Sequence, residues 1–209
     1  MARPRKFDEE RAVDAAMEAF WTAGYEATST QDLCEATGLG RSSIYNTFKS
    51  KHDLFERALA RYMEYKSAEL TELMESDLPV RQKIRTQFQR VIDEEFGRGP
   101  EGSEGREGVA GTEGAASGRG CLVVNTAVEV AARDHGIAGD LTRDYRLRLA
   151  VIRAAIESGQ RDGDIARDKD PTALAHFVIA TIAGLKVSAR VTRQRSVLEM
   201  TADAALAAL

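Results

Sequence analysis

The chain has 209 residues, 43% apolar and 30% charged, the balance of a soluble globular protein with material for one or two domains. A net charge of −4 excludes a histone-like polycation, although DNA binding needs only a local basic surface. Cys34 and Cys121 form no CxxC pair and no His cluster supports zinc, so both are expected to be small buried thiols, and no metal or cofactor is expected.

MARPRKF carries charge without an apolar h-region, so no secretory leader is expected. Its Arg3, Arg5 and Lys6 form a basic tail that either touches DNA or frays. A first helix is predicted from about Asp8 to Ala23, with Val13, Ala16, Met17 and Phe20 on one stripe and Gly24 ending it. Ser29 to Phe48 then reads as two short helices around Gly38-Leu39-Gly40. Thr30 is the expected cap of the first, with Leu33 and Ala36 inward; Arg41 opens the second, with Ile44 and Phe48 inward. This is the layout of a helix-turn-helix, whose second helix enters a DNA major groove.

Ser50 and Asp53 form a helix-start signal for a long helix carrying Leu54, Phe55, Ala58, Leu59 and Tyr62 toward about Met74. After Pro79 another runs from about Val80 to Phe96, with Ile84, Phe88, Val91 and Ile92 inward. Residues 97–120 are rich in Gly and read as a flexible linker; one proline and a short run argue against collagen. Cys121 to Ala132 is apolar on nearly every side and is expected to be a helix buried all round, ended by His135-Gly136. A further helix is predicted from about Asp140 to Ser158, with Leu141, Tyr145, Leu149, Ile152 and Ile156 inward, closed by Gly159 and Gly163.

Asp170-Pro171 is a strong helix start. Leu174, Phe177, Val178, Thr181, Ile182 and Leu185 mark one face of that helix, and Ala175, Ile179 and Ala183 make the other apolar too. Its run Ala173 to Leu185 is broken by His176 and Thr181 and is too short for a bilayer, so a cytoplasmic protein without a membrane partner is expected. A last helix, about Ser196 to Ala208, should bury Val197, Leu198, Thr201, Ala205 and Ala208. No stretch reads as a strand, and the fold class is all-α.

On the second short helix, Arg41 and Asn46 have the reach and fork geometry to read guanine and adenine edges. Ser42, Ser43 and Thr47 are short donors, Tyr45 can give its hydroxyl to a phosphate, and Lys49 and Lys51 suit phosphate contacts that position without specifying. Thr30 and Gln31 can meet the same duplex. Asn125 and Glu129, four apart, either line a ligand pocket or tie their helix to a neighbour by hydrogen bonds. His176 is open between an interface and a ligand contact; Tyr62, Met63 and Phe88 are core residues first and pocket residues second.

Four matches, Gly24-Tyr25 before Thr28-Ser29-Thr30, Ala36-x-Gly38-Leu39, Ile44-Tyr45-x-x-Phe48 and Ser50-Lys51-x-x-Leu54, resemble the N-terminal domain of the TetR family of transcriptional repressors, over about Lys6 to Tyr65. Gly40 stands where that family often has a Ser cap, an acceptable exchange. The remainder is similar in layout: RGCLVVNTAVEVA resembles a motif of one branch, and the segment around 163–190 its dimerising region. The resemblance implies an operator-binding domain at 1–50 and a helical effector and dimerisation domain at 51–209. It implies DNA contacts at Thr30, Gln31, Arg41, Ser42, Ser43, Tyr45, Asn46, Thr47 and Lys51. It also implies a homodimer through the last two helices (about 171–208) and a pocket for a small-molecule effector that releases a palindromic operator. Two alternatives stand beside this reading: a repressor sensing oxidants or electrophiles through Cys121, and a helical enzyme. Against the enzyme, the sequence offers no activated nucleophile, metal constellation or phosphate loop.

Overall fold

The computed structural model describes residues 5–96 and 119–209, with side chains from Glu9 onward. Of the expected basic tail, Arg3 lies outside the described residues, while Arg5 and Lys6 fall in the first turn of α1, which begins ahead of the expected Asp8; nearly all of the Gly-rich 97–120 segment lies outside the described residues. Within them there are nine helices and no strand: α1 (Arg5–Ala23), α2 (Thr30–Thr37), α3 (Arg41–Thr47), α4 (Lys51–Glu75), α5 (Val80–Phe96), α6 (Leu122–Glu129), α7 (His135–Asp162), α8 (Pro171–Thr192) and α9 (Arg195–Ala207). They form two compact units, one of residues 1–68 and 121–144, the other of 69–120 and 145–209.

The first unit is built on Ala16, Phe20, Leu33, Ile44, Phe48, Leu54, Phe55, Leu59, Tyr62, Leu122 and Ile137, all buried. The α1 stripe turns in as expected, with Ala12 added to it and Val13 and Met17 half-buried at its edge. Gly24, at φ +86°, ends α1, and its N–H donates to the Phe20 carbonyl at 2.8 Å. In α2 the cap is Ser29, not Thr30: Ser29 Oγ accepts the Asp32 N–H, and the Asp32 carboxylate accepts the Ser29 N–H in return. Thr30 is thereby the first helical residue. Ala36 is exposed and Cys34 half-buried, because α2 turns only Leu33 fully inward. Ser50 caps α4 as expected, its Oγ accepting the Asp53 N–H at 3.0 Å.

α6 departs most from expectation. It spans only Leu122–Glu129 and buries Leu122 and Thr126 within its length, while Val128 is 83% exposed. An apolar composition without a period says how much could be buried but not which side meets a neighbour. His135-Gly136 does not end a helix there; it opens α7, five residues before the expected start. The cause is Asp134, whose Oδ1 accepts the Ile137 N–H at 3.0 Å and caps α7. The Ile137 N–H first, and His52 after it, hold the Asp134 carboxyl below its usual range.

The second unit packs α5, α8 and α9 together with the 145–162 part of α7 around Ile84, Phe88, Val91, Ile92, Ile152, Ile156, Val178, Leu185, Leu198 and Leu206. α5 has the expected bounds and the expected inner face. Tyr145, expected inward, is exposed. Gly159 does not close α7 but lies within it, pressed against Val80, and Gly163 follows the helix end. Asp170 caps α8 by accepting the Thr172 and Ala173 N–H groups.

α8 is apolar on two sides, but the faces are rotated from the expected ones. Ala175, Val178, Leu185 and Ala189 face the core, while Phe177, Val187 and Val191 are exposed. In α9 the inward row is Leu198, Ala202, Ala205 and Leu206, with Thr201 and Ala208 outward. By length and composition α8 could cross a membrane. Its core row, and buried Lys186 pairing with Glu94 at 3.0 Å, account for it as a helix of this unit.

Ala in place of Gly159 puts a Cβ 2.2 Å from Val80 Cγ1, so Gly159→Ala should destabilise by about 1–3 kcal/mol. At Gly139, in the same helix with open space around it, the same change should stabilise by about 0.5–1 kcal/mol; urea unfolding of both variants measures the contrast. Glu95 is 2% exposed with its Oε2 unpartnered among the described residues, and burial pushes its carboxyl above the usual range, with Lys186 opposing. The folded chain therefore keeps a proton that the unfolded chain has lost, and stability falls as pH rises from the ordinary Glu range through the raised value. Thermal scans should find the Tm of Glu95→Gln gaining on the parent's as pH rises from the ordinary Glu range upward.

Candidate nucleic-acid interface

α2 and α3 are joined through Gly38 at φ +68° and Gly40, which precedes α3 in an extended conformation. No atom crowds a Cβ built on Gly38, so its left-handed backbone is what calls for glycine there. Leu39, half-buried, and Ile44 and Phe48, fully buried, fasten the turn and α3 to the first unit's core. That inward pair fixes which side of α3 faces out.

The outward side carries the expected residues. Arg41, Ser42, Ser43, Asn46 and Lys49 are exposed, Tyr45 is 42% exposed, and Thr47 is half-buried. Thr30, on the first turn of α2, reaches across to Tyr45, with 3.3 Å between hydroxyls. The Arg41 guanidinium lies 5.9 Å from the Tyr45 ring centroid. The Thr30 hydrogen bond first, and Arg41 after it, hold the Tyr45 phenol below its usual range. Gln31 is exposed and donates to Glu35 at 2.9 Å. Lys51, first residue of α4, extends over the Tyr25 ring, 4.5 Å from its centroid, and donates to the Glu26 carbonyl at 3.4 Å. The nine residues expected to contact DNA thus lie at the start of α2, along the whole of α3 and at the start of α4, in one unit.

The expected ligand residues are distributed differently. Tyr62, Met63, Asn125 and Glu129 belong to the first unit, Phe88 and His176 to the second. Tyr62 is buried, donates its hydroxyl to Cys121 Sγ at 3.7 Å and packs edge-on to Trp21. Met63 and Phe88 are core side chains. His176 is exposed, and its Nδ1 is hydrogen-bonded with the Tyr145 hydroxyl at 2.6 Å. Glu129 makes the tie that its spacing allowed: Oε2 and Oε1 accept the N–H groups of Tyr25 and Glu26 at 3.1 and 2.8 Å. Among the described residues no group of three or more His, Cys, Asp or Glu is placed to hold a metal ion.

Sequence reasoning missed the supports behind the surface. His52 donates to Asp134 at 2.5 Å, and its ring stands edge-on to Tyr25, which packs on Phe55. No spacing rule links residue 52 to 134 or 129 to 25, because these partners lie 82 to 104 positions apart.

Comparison with known proteins agrees with this geometry. The profile of bacterial regulatory proteins of the tetR family matches residues 12–58, and that of the tetracyclin repressor-like C-terminal domain matches residues 107–205. The chain is 29% identical to the HTH-type transcriptional regulator YezE of Bacillus subtilis (strain 168), over the full length of both. It is 29% identical to the HTH-type transcriptional repressor ComR of Escherichia coli (strain K12), over 90% of this chain and 82% of that one. A solved cysteine mutant of the TetR family regulator CifR, complexed with a 26 bp double-strand operator DNA, superposes with a TM-score of 0.77 at 28% identity, covering 99% of each chain. With both profiles matched in order and the recognition surface assembled at the turn, the chain belongs to the TetR family of DNA-binding transcriptional regulators.

Proposed function

We propose that the chain is a repressor that holds a near-palindromic operator as a homodimer and leaves it when a small-molecule effector binds. The observation that carries this reading is the outward polar face of α3, fixed by buried Ile44 and Phe48 and extended by Thr30, Gln31 and Lys51. In it, Arg41 and Asn46 read base edges. Tyr45, with its phenol braced by Thr30, and Lys51 contact phosphate, while Ser42, Ser43 and Thr47 allow close approach. Residues 1–50 act as the DNA-reading domain and 51–209 as the effector and dimerisation domain.

The exposed Phe177, Val187 and Val191 of α8 and Met200 of α9 support a symmetric pairing through 171–208. Two recognition helices related by that axis read half-sites roughly 34 Å apart or somewhat more. The effector acts through its difference in affinity for the operator-competent and operator-incompetent dimers. The protein carries out no turnover and works in the cytoplasm. Tyr62, Met63, Phe88, Asn125, Glu129 and His176 remain the candidate effector contacts, Glu129 having a structural tie already and Tyr62 and Phe88 a place in the cores.

A second reading, thiol sensing through Cys121, has one support: the Tyr62 hydroxyl donates to its sulfur at 3.7 Å. Burial of that sulfur opposes it. An operator complex of Cys121→Ser that responds to peroxide like the parent's would remove this reading.

Selection from genomic DNA followed by fluorescence anisotropy tests the main proposal; affinity no better than for random duplex, at low and moderate salt, would defeat it. Arg41→Ala should weaken operator binding by about 1–3 kcal/mol and relax specificity at one base pair. Lys51→Ala should weaken binding on all sequences alike and reduce the slope of log affinity against log salt by about 1.

A further inference from the structure

The turn between α1 and α2 is held from a distant part of the chain. α1 ends at Gly24, and the next two N–H groups, of Tyr25 and Glu26, point together at the Glu129 carboxylate on the last turn of α6. The approach is close: a Cβ on residue 24 would lie 3.0 Å from Glu129 Oε2. The location is unusual for an anion. It is the carbonyl end of α1, where the helix dipole disfavours negative charge. Here a pair of converging backbone N–H groups takes both oxygens of one carboxylate, a geometry that fixes the rotation of the turn as well as its position.

The Glu26 backbone is gripped on both sides, its N–H by Glu129 and its carbonyl by Lys51 Nζ. Thr28 closes the turn by donating to the Gly24 carbonyl at 2.6 Å, and Ser29 follows at once as the cap of α2. Thr30, next in line, meets Tyr45 on α3. Five residues past Glu129, Asp134 takes His52 of α4, so the α6–α7 corner fastens to the same region twice.

We propose that Glu129 is a positioning residue for DNA recognition: its two-oxygen grip on Tyr25 and Glu26 sets the orientation of the first turn of α2, and through Thr30, Tyr45 and Lys51 the alignment of the recognition surface on its operator. The inference rests on the operator-binding reading above.

Glu129→Gln separates positioning from folding, because the amide keeps the shape but presents one acceptor to two N–H groups. On the duplex that the parent selects, the variant should bind about tenfold more weakly, while its affinity for random duplex stays within about twofold. Its Tm should fall by no more than about 4 °C. Amide exchange at Tyr25 and Glu26 should speed up in the variant. Operator affinity equal to the parent's overturns the proposal, as does an equal loss on both duplexes, which marks a merely structural side chain. A parent that prefers no duplex sinks the repressor reading and this inference with it; a parent that prefers its operator, matched by the variant, sinks the inference alone. Should the variant fail to fold, the parent decides: the Tyr25 and Glu26 amides should exchange about tenfold more slowly on operator binding, and unchanged exchange overturns the proposal.

Discussion

α3 is seven residues long, too short to stay helical in water by itself. What holds it is the burial of Ile44 and Phe48 in a core shared with Phe20, Leu33, Leu54 and Phe55. Each such side chain contributes about 1.5–3 kcal/mol on leaving water, enough together to offset the cost of a short helix. Because both lie on one stripe, the same burial leaves Arg41, Ser42, Tyr45 and Asn46 with nowhere to point but outward. The chemistry of recognition is thus a by-product of where two apolar residues go.

Around that pair, hydroxyl and carboxylate oxygens fix the helix starts. Ser29 with Asp32 begins α2, Ser50 with Asp53 begins α4, Asp134 begins α7 and Asp170 begins α8. Each satisfies N–H groups that a helix leaves orphaned, at the end where the dipole welcomes negative charge. Glu129 is the exception, a carboxylate at a helix's carbonyl end, held by two backbone donors beyond the last turn of α1. The same oxygen chemistry that starts helices elsewhere is used there to fix how one helix leads into the next.

Legibility in the sequence followed periodicity. α5 was readable to its ends because Ile84, Phe88, Val91 and Ile92 keep a strict stripe behind Pro79, and the α2–α3 motif because its glycines and inward residues sit at fixed offsets. α6 is less legible because Cys121 to Ala132 has no period, so composition suggests burial for Val128, which faces water. The start of α7 is hidden because His135-Gly136 looks like a stop, whereas the Asp134 cap outweighs a glycine in the first turn. Thr30 and Ser29 are both plausible caps; Asp32 three residues beyond Ser29 decides between them. The Glu129 and His52 ties were out of reach, since pairs so far apart in the chain are brought together only by the fold.

The second unit poses an energetic question of its own. α8 spends one row on the core and leaves Phe177, Val187 and Val191 in water, and α9 does the same with Met200. Scattered exposed apolar residues, such as Leu78 and Leu147 in this unit, are ordinary, but Phe177, Val187 and Val191 share one side of α8 with the small residues Ala173, Ala180 and Gly184, a surface on which backbones can approach closely. A symmetric partner would cover like with like, and a two-fold axis through this surface is what a near-palindromic operator demands of its reader. The acidic net charge is compatible with DNA binding, because binding depends on where the cations sit, and Arg41, Lys49 and Lys51 gather at α3 and the start of α4.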